Sequence, residues 1–269
     1  MNDMTTAAFA PASAQAVSAI LPPAKYLTYS EVIRSSFELA GLFLAAPLLA
    51  ASPIGDGHSV LVLPGFATDD QATLLLRTFL ISRGYKVHSW DLGYNLDHRT
   101  VGLGGEKLLA RIAAIHRASG GTVSLVGWSL GGVLAREAAR VVPEHVRQVI
   151  TLASPFTGDP TANAVRSVYE MLSGNQVDSP AALKRFAAGC APLPVPSTSI
   201  FSRSDGIAPW QNCHGTADAI SENIEVHSSH FGMVGNPAVF HAVADRLAQP
   251  EGEWAPFEGH APFSLMYPR

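Results

Sequence analysis

From residue 58 onward, apolar and polar positions switch between two periods. Runs of β-branched and other apolar residues, bounded by turn residues, predict strands at 58–63, 85–90, 122–128, 148–152, 198–202 and 223–229. Between the earlier strands, apolar positions recur at helical spacing over 71–82, 106–118 and 130–141. A last helix is announced by Asn236, suited to capping, and Pro237, suited to the first turn, and it carries Val239, Val243 and Leu247 on one stripe. Strand and helix taken in turn predict an α/β fold with a mostly parallel central sheet, helices on both faces, and chemistry-bearing loops at one sheet edge.

Two segments stand outside this alternation. Within residues 155–196, Val165, Val168, Tyr169 and Leu172 fall at i, i+3, i+4 and i+7, and a second short helix is expected over 181–188 with Leu183 and Phe186. Lying between two strands, this insertion is expected to form a helical cap whose stripe lines a substrate pocket. Ahead of the first strand, residues 39–51 are almost uninterruptedly apolar but fall short of the roughly 20 residues a bilayer span needs. The helical segment before them is expected to be capped by Ser30, with Glu31, Arg34 and Glu38 as its polar positions. Packing on the α/β domain is the expected role of 39–51, with a subunit contact or a peripheral membrane contact as the alternatives. The domain plan is therefore an arm and apolar helix over 1–54, the α/β domain over 55–250, and a Pro/aromatic tail over 251–269.

The chemistry centres on Gly127-Trp128-Ser129-Leu130-Gly131, set between the strand at 122–128 and the helix at 130–141. A G-x-S-x-G motif in a strand–turn–helix context is a nucleophile elbow, with glycines where side chains would strike neighbouring backbone. A serine hydroxyl is a weak nucleophile at neutral pH, so the elbow predicts a base, an acid to orient it, and oxyanion donors. His230, just after the strand at 223–229, is the expected base; His227 is the nearest competitor and is read as lying inside that strand. Asp205, in Ser204-Asp205-Gly206 at the end of the strand at 198–202, is the expected acid, with Asp218 as the alternative. The oxyanion donors are expected to be the backbone N–H groups of Leu130 and of Phe66, the latter in Pro64-Gly65-Phe66 after the first strand. Trp128, Phe156, Ile207 and Phe231 join the insertion's stripe as expected pocket residues.

These motifs, with Ala153-Ser154-Pro155-Phe156 and Ser229-His230-Phe231-Gly232, resemble in chain order the bacterial lipase-like and esterase-like α/β-hydrolases over roughly residues 55–250. The resemblance implies the α/β-hydrolase fold, a Ser129-His230-Asp205 triad, no metal or cofactor, and hydrolysis of small-molecule or lipid carboxylic esters. An acyltransferase or thioesterase would use the same residues, and a non-catalytic binding protein on the same fold is the alternative of another class. Pro64 departs from the family by standing where many lipases carry a His before the oxyanion glycine.

Composition narrows the partners. The 269 residues are 47% hydrophobic and only 15% charged, which favours apolar substrates. A net charge of −4 without a basic run offers no footprint for nucleic acid. Met1-Asn2-Asp3-Met4 lacks the positive opening of a signal peptide and the Ala/Ser/Pro-rich arm from Thr5 to Ala24 carries no charge, so a cytoplasmic protein is expected. Cys190 and Cys213 read either as two free thiols or as one disulfide joining the insertion to the acid loop.

Overall fold

The computed structural model describes residues 20–268. Six strands, β1 (Ser59–Leu63), β2 (Lys86–His88), β3 (Val123–Trp128), β4 (Val146–Leu152), β5 (Ser197–Phe201) and β6 (Ser221–Glu225), form one parallel sheet in the order β2-β1-β3-β4-β5-β6. The described helices are α1 (Lys25–Leu44), α2 (Ala46–Leu49), α3 (Leu74–Ser82), α4 (His98–Val101), α5 (Glu106–Ser119), α6 (Leu130–Val141), α7 (Arg166–Ser173), α8 (Pro180–Cys190) and α9 (Pro237–Leu247). Strands buried on both faces tend to read as apolar runs, and β1 and β3 largely do so, while β4 is buried along its whole length although it carries Arg147, Gln148 and Thr151. Their alternate residues feed two cores. Val60, Val62, Val126, Ile150 and Leu152 pack with α2, α3 and α9, while Leu61, Leu63, Leu125 and Val149 pack with α5 and α6.

Several predicted boundaries move. The strand expected over 85–90 contracts to Lys86–His88 at the sheet's margin, and the last strand ends at Glu225, so His227 lies beyond it in an exposed loop position. Asn236 and Pro237 open α9 as expected, with the Asn236 side chain accepting the Ala238 N–H at 2.9 Å. Ser30 is not a helix cap. Five residues before it, Lys25 already begins α1 without a side-chain cap, and the Ser30 hydroxyl instead donates to the Tyr26 carbonyl at 2.7 Å, within the helix. The apolar run 39–51 breaks across α1 and α2 near Pro47, with Leu42 and Leu49 buried and Phe43 and Leu44 exposed.

α1 is amphipathic the wrong way round for a helix lying on a domain. Its two buried residues are Glu31 and Leu42, while Tyr29, Ile33 and Phe37 face outward. Among the described residues, no helix is long and apolar enough to cross a membrane. Cys190 and Cys213 are both free thiols, the first exposed and the second buried.

Candidate active site

The parallel strands deliver three side chains to one sheet edge. Ser129 sits between β3 and α6 at φ 53° and ψ −123°, a conformation that non-glycine residues rarely adopt and that stores about 1–3 kcal/mol of strain. The turn is held by the sheet itself: the Ser129 N–H donates to the Leu152 carbonyl of β4 at 2.8 Å. Nothing larger than glycine fits at 131, where a Cβ would lie 2.5 Å from the Leu63 carbonyl oxygen and 2.6 Å from that of Pro64.

His230 Nε2 lies 3.0 Å from Ser129 Oγ, and His230 Nδ1 lies 2.7 Å from Asp205 Oδ2. The other carboxylate oxygen of Asp205 accepts the Ile207 and Ala208 N–H groups, each at 2.8 Å, so both oxygens are directed. Asp205 and His230 are both buried. Burial pushes the imidazole pKa down, but the charges of Asp205 and then Glu31 outweigh it and hold His230 above its ordinary value. Asp218, the alternative acid, lies exposed at the start of the β6 hairpin-like turn and accepts the Ile220 N–H at 2.9 Å, away from His230.

Among the described residues, neither the Phe66 nor the Leu130 N–H has an acceptor, so both are free to meet a negative oxygen beside Ser129. Above them opens a cavity of about 720 Å³. Its wall combines Phe66, Leu130, Phe156, Val165, Tyr169, Ile207 and His230 with Leu108, Leu134 and Phe186. The Arg136 guanidinium stacks 3.8 Å over the Phe156 ring, and burial, aided by Arg140, draws its pKa down to about 9.

Four expected pocket residues are not in this wall. Trp128, one residue before the elbow, points into the core by the strand's twofold alternation, and its Nε1–H donates to the His230 carbonyl at 3.1 Å. Phe231 turns its ring outward and is 42% exposed. Val168 and Leu172 are turned off the cavity because α7 is rotated so that Val165 and Tyr169 face it, with the Tyr169 hydroxyl donating to Asp97.

Asp97, Arg185 and Glu137 carried no expectation, yet they bind the insertion to the body. Arg185 of α8 forks onto Asp97 at 2.7 and 2.9 Å and also reaches Glu137 of α6. Burial raises the Asp97 carboxyl, but the bonds and charge of Arg185 overturn that and hold it below the usual carboxylate range. Glu31 and Glu38 of α1, expected only as polar positions of that helix, also belong to the site's surroundings. Their signal was present in the sequence: Glu31, Arg34 and Glu38 lie at i, i+3 and i+7, a narrow charged stripe on a helix whose one other charge is Lys25 at its first position. Among the described residues, no group of three or more His, Cys, Asp or Glu side chains is placed to hold a metal ion.

No protein-family model matches the chain. It is 34% identical to a triacylglycerol lipase of Burkholderia plantarii over 142 residues, which are 49% of this chain and 39% of that one. The chain thus spans well under half the length of that relative. It is 22% identical to a pimeloyl-[acyl-carrier protein] methyl ester esterase of Aliivibrio salmonicida, over 74% of this chain and 95% of that one. The crystal structure of Aspergillus fumigatus lipase B superimposes with a TM-score of 0.58 at 18% identity, over 75% of this chain and 55% of that one. The fold is that of the α/β-hydrolases.

Proposed function

We propose that this chain is a cofactor-independent serine hydrolase of apolar carboxylic esters. The observation that carries this reading is the hydrogen-bonded series Asp205–His230–Ser129 at the floor of an apolar cavity, with two unoccupied backbone N–H groups beside it. His230 removes the Ser129 proton as Oγ attacks the ester carbonyl, and the Phe66 and Leu130 N–H groups stabilise the resulting oxyanion. Asp205 holds His230 in the tautomer whose Nε2 faces Ser129 and stabilises the imidazolium. His230 then protonates the leaving alcohol, and water activated by the same nitrogen releases the acid from the acyl-enzyme.

The names of the relatives, lipase and methyl ester esterase, support an ester substrate, and the apolar cavity wall supports an apolar acyl or alcohol part. The helices of residues 155–196 act as a cap in this reading. The subunit or membrane contact held as the alternative for 39–51 would fall on Leu39, Phe43 and Leu44, which face outward near the end of α1, and the two free thiols are in keeping with the expected cytoplasmic placement. The test is labelling of the purified protein with a fluorophosphonate, followed by a chain-length series of p-nitrophenyl esters. A single label on Ser129 with turnover of medium-chain esters is expected, and a protein that neither labels nor turns over any ester would remove the proposal.

A further inference from the structure

Asp205 and His230 lie on loops that leave the sheet at its β5–β6 margin, and the inward face of α1 crosses both. Glu31 is 1% exposed there. Its Oε1 accepts the N–H groups of Gly206 at 2.8 Å and His230 at 3.1 Å, and its Oε2 accepts that of Phe231 at 3.1 Å. Arg34 donates to the same Oε1 at 2.8 Å and, through its other terminal nitrogen, to the Ser204 carbonyl at 2.7 Å. Thr28 Oγ1 donates to the Gly206 carbonyl at 2.6 Å, so α1 grips the chain on both sides of Asp205. The approach is close enough that a Cβ at Gly206 would lie 2.5 Å from the Leu27 carbonyl. Glu38, two turns further on, accepts the Ser229 N–H and the Ser228 hydroxyl, each at 2.7 Å. Burying a carboxylate is unfavourable unless it is fully bonded, and an apolar side chain would hold a surface helix in place more simply. What the carboxylate adds is direction: three backbone N–H groups from two separate loops converge on one rigid acceptor.

We propose that Glu31 is a positioning residue for the acid–base pair, fixing the Asp205 loop and the His230 loop relative to each other so that Nε2 stays in reach of Ser129. The inference rests on the serine-hydrolase reading above. Charge acts in the same place. Asp205 from the loop after β5 and Glu31 from α1 are the charged groups that raise the His230 pKa against its burial; Arg34 is paired with Glu31, and Glu38 is engaged by Ser228 and Ser229.

The experiment compares full-length Glu31→Gln and Glu31→Asp with the unsubstituted protein, with rates expressed per active site titrated by a fluorophosphonate burst. Gln keeps one carbonyl oxygen but removes the charge and turns an N–H₂ toward a donor. Its kcat is expected to fall about 10- to 100-fold with KM little changed, the effect of displacing a reacting group by a fraction of an ångström to one ångström. The acid limb of its kcat/KM profile should move to lower pH, because a negative charge that favoured the imidazolium is gone. Asp keeps the charge and withdraws the carboxylate by one methylene, so its kcat should fall while the acid limb stays in place. A purely structural role would lower the melting temperature and leave kcat per titrated site and the acid limb as they were, and that result overturns the proposal. Should the Gln variant not fold, an Asp variant with undiminished kcat per site overturns it equally. Ser129→Ala distinguishes the two levels: full activity in that variant removes the serine-hydrolase reading, whereas an inactive Ser129→Ala beside fully active Glu31 variants removes only the role of Glu31.

Discussion

Ser129 and the Asp205–His230 pair meet at one hydrogen bond, but the two halves of the site are secured by different parts of the molecule. The serine half is held from below by backbone: a positive-φ turn, a bond to the neighbouring strand, and glycine-only approaches of α6 to the end of β1. The acid–base half is held from the side by side chains of α1, across sequence separations of 175 residues to Gly206 and 199 to His230. The serine half needs only the sheet register to form, whereas the other half is complete only when a distant helix has docked. In the proposed reaction, local geometry would fix Ser129 as nucleophile and long-range polar contacts would aim its partners.

The largest effect belongs to the serine half. Ser129→Ala is expected to remove ester hydrolysis by on the order of 10⁴-fold or more while leaving the melting temperature near that of the parent, since among the described residues the hydroxyl bonds to His230 alone. Near-parental turnover with a p-nitrophenyl ester would place the nucleophile elsewhere and dissolve the contrast.

Breaking the other half at its acid should come close to that. Asp205→Asn is expected to cost roughly 10⁴-fold in kcat, because the amide favours the wrong imidazole tautomer. It also gives a pH signature. In the unsubstituted protein the folded-state pKa of His230 is raised, so kcat/KM should climb as pH rises through a value above that of ordinary histidine. The stabilising contribution of the charged pair runs the opposite way: it is complete below the unfolded histidine pKa of about 6.5 and fades as pH rises through the folded one. Thermal melts across pH 5 to 9 should therefore lose, in Asp205→Asn, a term that the parent has only on the acidic side. Parallel melting curves for the two proteins would contradict this.

These two halves also differ in how far the sequence discloses them. The elbow is a five-residue pattern framed by a strand and a helix, and Asp205 and His230 stand at strand ends that periodicity locates to within a few residues. The central strands β1 and β3 were legible for the same reason, as largely apolar runs buried on both faces, whereas β2 and β6, only partly buried at the sheet's two margins, were found with shifted bounds. Glu31 was not legible as part of the site, because nothing local distinguishes a carboxylate that folds inward from one on a solvated face; only the lack of other charges on α1 beyond Lys25 hinted at it. Likewise Trp128 and Phe231 flank the two reactive residues in sequence, yet strand alternation sends one into the core and the loop sends the other outward. Adjacency along the chain did not become adjacency in the cavity.

A third contact sharpens the comparison, because the helices of the insertion are tied to the serine half by side chains, whereas its first loop is tied to the acid loop by backbone, the Ala164 and Phe156 N–H groups each donating at 2.9 Å to the carbonyls of Ile207 and Asn212. Asp97, fully buried, takes both terminal nitrogens of Arg185, whose Nε side meets Glu137 on the elbow's own helix α6. Asp97→Asn leaves a partly buried guanidinium with one fewer charge partner and should destabilise the protein by about 3 kcal/mol, the lower end for breaking a buried pair. KM for long acyl esters should rise more than kcat falls, because the cap wall loosens while the reacting groups stay in place. A loss confined to kcat would mean that the break reaches the acid–base half through the backbone bond between Ala164 and Ile207.

The smallest effect separates the two sides of α7. Val165 and Tyr169 face the cavity, whereas Leu172, half-buried, stands off it with its carbonyl held by Arg99 at 2.8 Å. Val165→Ala removes two methyl groups from the wall and is expected to shift the ratio of kcat/KM between short and long acyl esters by about 10-fold, the low end for small changes in an apolar pocket. Leu172→Ala is expected to leave that ratio unchanged and to lower stability by less than the roughly 2–5 kcal/mol of a fully buried leucine, since part of its surface already meets solvent. Measuring the chain-length profile beside the melting temperature for both variants reads the rotation of α7 directly. If Leu172→Ala moved the profile and Val165→Ala did not, the helix would present its other side to the substrate, and the tie between Tyr169 and Asp97 could not be what sets its rotation.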